Sequence, residues 1–260
     1  MPQLEVRDGA GWILLDRPEA GNPVDAMFVD ELWECLVGVR RADVGVVVLV
    51  STGPAFCVGG DLRAFAATDD LPGLVEDLAD GLHRCVSELQ RLDAVVVAAV
   101  KGTAAGAGVP LAAAADIVLA AASATFTLAY TKVGLSPDGG SSLLPSSLGL
   151  HRALHLALLN PTLTAEQARG VGLVAEVHAD DAFAVAVDAV VQRLVAGSRS
   201  AQVAAKRLLR RQAQPAPETA LRLETHAIRA AAGAPDAREG VAAFLGKRAP
   251  QFTAGSPATP

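Results

Sequence analysis

Charge and aromatic rings are both scarce in this chain. Only 4% of its 260 residues are Phe, Trp or Tyr, and 19% are charged, against 51% hydrophobic. With so much apolar content, wholesale disorder is excluded, and Ala, Val and Leu must supply the core. There is no surplus of positive charge: 22 Lys and Arg face 28 Asp and Glu, for a formal net charge of −6. A general nucleic-acid binder needs a basic face, so nucleic acid is excluded as a partner. Cysteine is limited to Cys35, Cys57 and Cys85, an odd number, well spread and each among apolar neighbours. That excludes a disulfide framework or a zinc knuckle and points to buried thiols in a reducing compartment. A membrane span needs roughly 18 apolar residues without charge. Val44–Gly60 is cut by Gly and Pro, and Ile117–Thr131 is too short. No basic segment followed by an apolar one opens the chain, so no secretory signal is expected. The expectation is a soluble cytoplasmic protein with no membrane or nucleic-acid partner.

What is present is an alternation of β-rich runs and helical patterns. Leu4–Val6 and Trp12–Leu15 read as paired strands around Asp8-Gly9. Phe28, Leu32, Leu36 and Val39 form one apolar helical stripe. Val46–Val50 is a continuous β-branched run suited to a strand covered on both faces. The loop Ser51–Gly60 leads to a long helical pattern through Leu74, Leu78, Leu82, Cys85, Leu89 and Leu92, and further buried strands are expected at Val95–Val100 and Asp116–Ala121. Strand, glycine loop, helix, strand describes an α/β core with crossovers. From about His151 the pattern is helical, apart from a short strand at Leu173–Val177. Thr164 followed by Glu166 and Gln167 is a capping-box signature, and helices are expected over Asp181–Val195, Ser200–Gln212 and Pro217–Ala232. The expected division is a core over residues 1–195, a helical region over 196–254 that supplies subunit contacts, and a disordered tail at Gly255–Pro260.

Two glycine loops follow buried strands: Cys57-Val58-Gly59-Gly60-Asp61, before a helix opening at Asp61, and Gly102 to Gly108, before a short Ala-rich helix. Glycines there let backbone N–H groups approach a ligand, and two loops can aim two amides at one oxygen. On spacing alone, tight turns and close helix packing account for them equally well. There is no Gly-Lys-Ser/Thr phosphate loop, no complete G-x-G-x-x-G and no Gly-x-Ser-x-Gly nucleophile elbow. His151 and His155 share a helix face but have no Glu between them or third ligand, so no metal site is expected. In the segment Leu135-Ser136-Pro137-Asp138-Gly139-Gly140, a helix beginning near Gly139 would take Asp138 as its N-cap, worth about 1 kcal/mol.

Taken in order, these segments resemble the crotonase, or enoyl-CoA hydratase/isomerase, superfamily over almost the whole chain. Trp12–Glu19 is similar to its opening strand. Phe56-Cys57-Val58-Gly59-Gly60-Asp61-Leu62 matches its F-[SC]-x-G-x-D-L block. Ala99–Gly108, ending in Ala115-Asp116-Ile117, resembles its second block, and Phe244–Phe252 resembles its C-terminal signature. The resemblance implies a spiral of ββα units, a helical trimerisation region and an acyl-CoA thioester substrate. It implies a homotrimer or dimer of trimers, and no cofactor beyond the coenzyme A that belongs to the substrate. The two oxyanion amides map onto Gly60 and Ala107, each such donor worth about 3–4 kcal/mol in the transition state. Val58 backbone, with Gly59 and Gly106 around it, would contact the coenzyme, and Lys247 is a candidate for its phosphates.

The departures from the family pattern are as informative. Where its hydratases carry two glutamates, this chain has Pro110 and Tyr130, neither a carboxylate base. Asp138 remains, in a Gly-Leu-x-Pro-Asp-Gly-Gly setting resembling the branch of ring-opening isomerases of phenylacetate breakdown and some Δ3,Δ2-enoyl-CoA isomerases. One carboxylate suffices for a 1,3-proton shift, best with its pKa raised from about 3.9 by burial. His83 lies at a spacing similar to the base histidine of 4-chlorobenzoyl-CoA dehalogenase, whose nucleophilic aspartate matches Asp138; it is equally a helix residue that does not titrate in turnover. Double-bond isomerisation with Asp138 as shuttle is the expected activity. Water addition, an Asp-nucleophile reaction and a non-catalytic acyl-CoA-binding paralogue are the alternatives.

Overall fold

The computed structural model describes residues 2–252, so the expected disordered tail at Gly255–Pro260 lies outside the described residues. β1 (Gln3–Arg7) and β2 (Ala10–Leu15) form the expected antiparallel hairpin. Asp8 and Gly9 at its tip both take positive φ, the conformation a tight two-residue hairpin turn requires. The chain continues through α1 (Ala26–Ala42), capped by the Asp25 side chain, to β3 (Val46–Ser51) and β4 (Ala55–Cys57). The long helical pattern from Leu74 forms one helix, α3 (Leu71–Arg91), and the helix expected to open at Asp61 is a separate short one, α2 (Leu62–Ala67). The break occurs because Asp70 caps α3, its side chain accepting from Gly73 N, with Pro72 in the first turn.

Next come β5 (Val95–Val100), β6 (Thr103–Ala105), α4 (Gly108–Ala113), β7 (Ile117–Ala121) and β8 (Thr125–Thr127). Two 3-10 turns, at Tyr130–Val133 and Ser141–Leu143, precede α5 (Pro145–Leu148), α6 (Leu150–Leu159), β9 (Leu163–Thr164), α7 (Ala165–Gly170) and β10 (Glu176–His178). The capping box at Thr164 and Gln167 forms as read. The strand expected at Leu173–Val177 forms later, at Glu176–His178: Leu173 and Val174 are still bonded to the Ala168 carbonyl, closing α7, and pairing with β7 begins only at Ala175. The chain ends in α8 (Phe183–Val195), α9 (Arg199–Ala213), α10 (Pro217–Ala232) and α11 (Pro235–Leu245), the last not anticipated from sequence.

Six strands form one sheet in the order β1-β2-β3-β5-β7-β10, parallel from β2 onward. A second, smaller sheet runs β4-β6-β8-β9. β3, β5 and β7 of the first sheet each hand the chain to a short strand of the second, so β3–β4, β5–β6 and β7–β8 repeat as turns of a spiral. This is the expected α/β spiral of ββα units. Alternation within the strands divides the interior in two. Val46, Val48, Val97 and Leu119 face α8, packing on Phe183, Val187 and Val191. Val47 and Leu49 face the main core, which holds Phe28, Leu32 and Leu36 of α1 and Leu82, Cys85 and Leu89 of α3. The loops leaving β4 and β6 emerge side by side, and α10 packs along α3 beside them.

Candidate active site

A cavity of about 380 Å³ opens where those two loops meet α3, α10 and α11. Its wall is apolar, built from side chains such as Leu62, Phe65, Val75, Leu78, Leu82, Leu135, Ile228 and Phe244. Asp138 is the one carboxylate on it among the described residues, and Lys132 stands exposed at its edge.

Gly60 and Ala107 both reach the wall. Val24 N–H donates to Gly59 O at 2.7 Å and Asp61 N–H to Val24 O at 3.2 Å. In such a parallel bridge the N–H of Gly60 itself points away from Val24. Ala107 precedes the first turn of α4, so its N–H lies outside the intrahelical ladder. Neither amide has an acceptor among the described residues. Glycine is what lets the loops touch. Gly59 has φ 89°, and a Cβ there would sit 3.0 Å from Ala105 O and 3.3 Å from Ala107 N. A Cβ on Gly108 would lie 2.3 Å from Cys57 O, well inside contact distance.

Asp138 is not a helix cap. Gly140, not Asp138, precedes the 3-10 turn, and Gly139 and Gly140 take φ of 71° and 100°. This left-handed pair swings the backbone round and frees the Asp138 side chain to point inward. Its carbonyl is pinned by Tyr130 Oη–H at 2.9 Å and Ser141 Oγ–H at 2.7 Å. Its carboxylate Oδ1 lies 3.0 Å from His83 Nε2, which is also 3.3 Å from Glu224 Oε2 and forms a linear hydrogen bond with neither. On the far side of the ring, Thr225 Oγ1 donates its proton to Asp80 Oδ1 at 2.9 Å and stands 3.2 Å from His83 Nδ1. It can therefore only accept from that nitrogen, which fixes a proton on Nδ1.

Burial pushes the Asp138 carboxyl up from its ordinary range, and the adjacent His83 opposes it without cancelling it. Burial works the other way on His83, but the carboxylates of Asp138 and Glu224 outweigh it and carry the imidazole from 6.5 up to about 9. Burial also drives the Tyr130 phenol well above its usual value, so it stays a neutral donor. The raised value on His83 has a consequence for stability. The native state holds a proton that the unfolded chain releases, so this contribution is complete below pH 6.5 and lost as pH rises through about 9. Urea unfolding across that window should show stability falling with pH, and His83→Gln should flatten the fall. Stability that rises across the window would contradict the charged imidazole.

Of the residues singled out from sequence, Val58, Gly59, Gly60, Gly106, Ala107, Tyr130 and Asp138 line the cavity. His83 stands behind Asp138 and opens instead onto a separate groove. Pro110 is not on the cavity wall: it backs the Asp138 turn, its Cγ 3.4 Å from where a Gly139 Cβ would be. Lys247 is exposed beyond α11 and does not reach the wall either. The residue that sequence reasoning missed is Glu224. Its signal was an acid on the apolar stripe Leu221, Thr225, Ile228 and Ala232 of α10. His83, Asp138 and Glu224 bring their ligand atoms within 4.8 Å of one another, as a metal site would. However, both Glu224 oxygens are already taken, by the N–H groups of Gly140 at 2.8 Å and Ser142 at 2.7 Å. The donor set thus fits a proton-bonded cluster better than a cation.

Two free amides and one buried acid on an apolar wall can polarise a carbonyl and move a proton beside it. The model of the enoyl-CoA hydratase/isomerase family matches residues 5–255. The 1,2-epoxyphenylacetyl-CoA isomerase of Escherichia coli K12 is 38% identical over 252 residues, covering 95% of this chain and 96% of that protein. A probable enoyl-CoA hydratase of Rhodobacter capsulatus is 37% identical, covering 96% and 97%. The crystal structure of an enoyl-CoA hydratase from Mycobacterium avium subsp. paratuberculosis K-10 superposes with a TM-score of 0.88 at 31% identity, covering 97% of this chain and 98% of that one.

Proposed function

The chain belongs to the enoyl-CoA hydratase/isomerase family and is an enzyme of it, and from that we propose that it moves the double bond of an enoyl-CoA thioester by a 1,3-proton shift. The amides of Gly60 and Ala107 hold the thioester oxygen. Asp138 takes a proton from C2 of a 3-enoyl-CoA, and the electrons of that C–H bond pass into an enolate whose charge rests on the held oxygen. The same carboxyl returns the proton to C4, leaving the conjugated 2-enoyl-CoA. The step needs no cofactor: atoms and charge balance within substrate and Asp138.

The observation that carries this reading is the one carboxylate on a mostly apolar wall, beside two amides that have no acceptor among the described residues. Syn-addition of water calls for a second wall carboxylate to place the water, and Pro110 and Tyr130 supply none. Lys132, at the cavity edge, is better placed than Lys247 for the coenzyme phosphates. As part of the same reading, Leu150, Leu154 and Leu158 project from α6 at four-residue spacing, 59%, 43% and 64% exposed, and support a homotrimer or dimer of trimers, which sedimentation would test. The three buried free thiols accord with a cytoplasmic setting.

The test is product analysis. A 3-enoyl-CoA should gain the absorbance of a conjugated thioester, while crotonyl-CoA should keep it. Bleaching of crotonyl-CoA at a rate matching the isomerisation would make the protein a hydratase and overturn this reading.

A further inference from the structure

We propose that Glu224 is a positioning residue for Asp138: carried in by α10, it holds the His83 ring against Asp138 and, through the backbone of Gly140 and Ser142, keeps the Asp138 carboxyl turned into the cavity. The proposal rests on Asp138 being the base.

A carboxylate buried on an apolar helix stripe is costly unless its oxygens are well paired. Glu224 is 5% exposed, and its partners among the described residues belong to the Asp138 neighbourhood. Oε2 accepts from Gly140 N–H at 2.8 Å, and Oε1 accepts from Ser142 N–H at 2.7 Å and from the Ser142 hydroxyl. These donors sit two and four residues after Asp138, so the clamp fixes the turn that aims it. Oε2 also lies 3.3 Å from His83 Nε2. One carboxylate thus holds both the backbone that orients the base and the ring that faces it.

The charge balance explains why a second acid is needed. Burial raises the Asp138 carboxyl and the nearby Glu224 charge adds to that, while a charged His83 beside it favours the ionised base. Once Asp138 has accepted the substrate proton it is neutral, and His83 would be left a buried cation with no partner. Glu224 remains as its counter-ion on both sides of the transfer. The groups facing His83 are Asp138 and Glu224 at Nε2, and at Nδ1 the Thr225 hydroxyl, with Asp80 beyond it; Asp80 itself pairs with Arg222 at 3.7 Å. Tyr130 meets Asp138 only at its carbonyl. Of these, only Glu224 is an anion in contact with the ring that takes no part in the proton shift.

The experiment is Glu224→Gln, which keeps size and one acceptor but removes the charge. Imidazole NMR titration without substrate, with the His83 signal identified by its loss in His83→Gln, should place wild-type His83 at about 9. The Glu224→Gln protein should titrate about one pH unit or more lower, roughly a tenfold loss of proton affinity. In turnover, the loss in kcat should vary with pH across that titration, with KM little changed. A merely structural role would lower activity evenly at all pH and leave the titration where it was, and that result overturns the proposal. Should the Gln variant fail to fold, Glu224→Asp withdraws the charge from Nε2 by one methylene and must shift the titration in the same direction. Because the titration is read without substrate, it stands or falls separately from isomerase activity.

Discussion

Asp138→Ala should bind an enoyl-CoA nearly as the wild type does and lose roughly 10²–10⁴-fold in kcat for isomerisation, the usual contribution of a positioned acid–base group. Binding survives because the wall is apolar and the carboxyl is a small part of it. Turnover does not, because among the described residues no other titratable side chain lines the cavity apart from Lys132 at its edge and Tyr130, whose phenol is held neutral by burial. His83 cannot substitute from behind, since it opens onto another groove and already carries its protons. The fold should tolerate the change, because the imidazolium keeps Glu224 as a partner. Alanine is a cleaner choice than asparagine here: an asparagine followed by Gly139 is prone to deamidate, which would restore the acid. Calorimetric affinity alongside initial rates separates the two effects. An alanine protein retaining more than about a tenth of wild-type kcat would remove Asp138 from the proton-transfer step.

That Asp138 could be singled out at all from sequence shows where such reading succeeds and where it stops. The long strands were legible because Val46–Val50 and Val95–Val100 are β-branched runs buried on both faces, a pattern local to the strand. The second sheet was not, because Ala55–Cys57, Thr103–Ala105 and Thr125–Thr127 are each three residues long, too short for any alternation to register. Helix α11 escaped for a different reason: its buried face is Ala237, Gly240, Val241 and Ala243, small residues packed against Val133, with no large apolar stripe. At Asp138 itself, Pro-Asp-Gly-Gly fits a helix cap as well as a catalytic turn. Only the positive φ of both glycines decides between them, and φ is not written in the residue names. Glu224 lies 86 positions from its nearest catalytic neighbour by sequence number (224 − 138), and only the packing of α10 on α3 brings it to His83. Local chemistry can be read from a sequence; a partner delivered by tertiary packing appears there only as an acid on the wrong face of a helix.

Replacing the Ala107 peptide bond by an ester, with lactate in place of alanine, should cost roughly 10²–10³-fold in kcat while leaving every side chain in place. The substitution deletes one N–H and nothing else of comparable weight. That N–H supports no structure, since it lies outside the α4 ladder and has no acceptor among the described residues. The one collateral change is at the Gly106 carbonyl, a weaker acceptor as an ester, which receives Val109 N–H at 3.2 Å; a single such bond is worth about 0.5–1.5 kcal/mol. Thermal unfolding of the ester protein measures that cost directly and allows it to be separated from the catalytic loss. If the amide holds charge that develops only in the enolate, kcat and kcat/KM should fall together with KM nearly constant. A fall in affinity alone would mean the amide binds the ground-state carbonyl and does no more. Glycolate at Gly60 should give a loss of similar size, but the double ester should cost less than the product of the two, because both donors serve one oxygen and act as a unit. Two independent losses that multiply would instead place the amides on different atoms, and the enolate would then have no shared site.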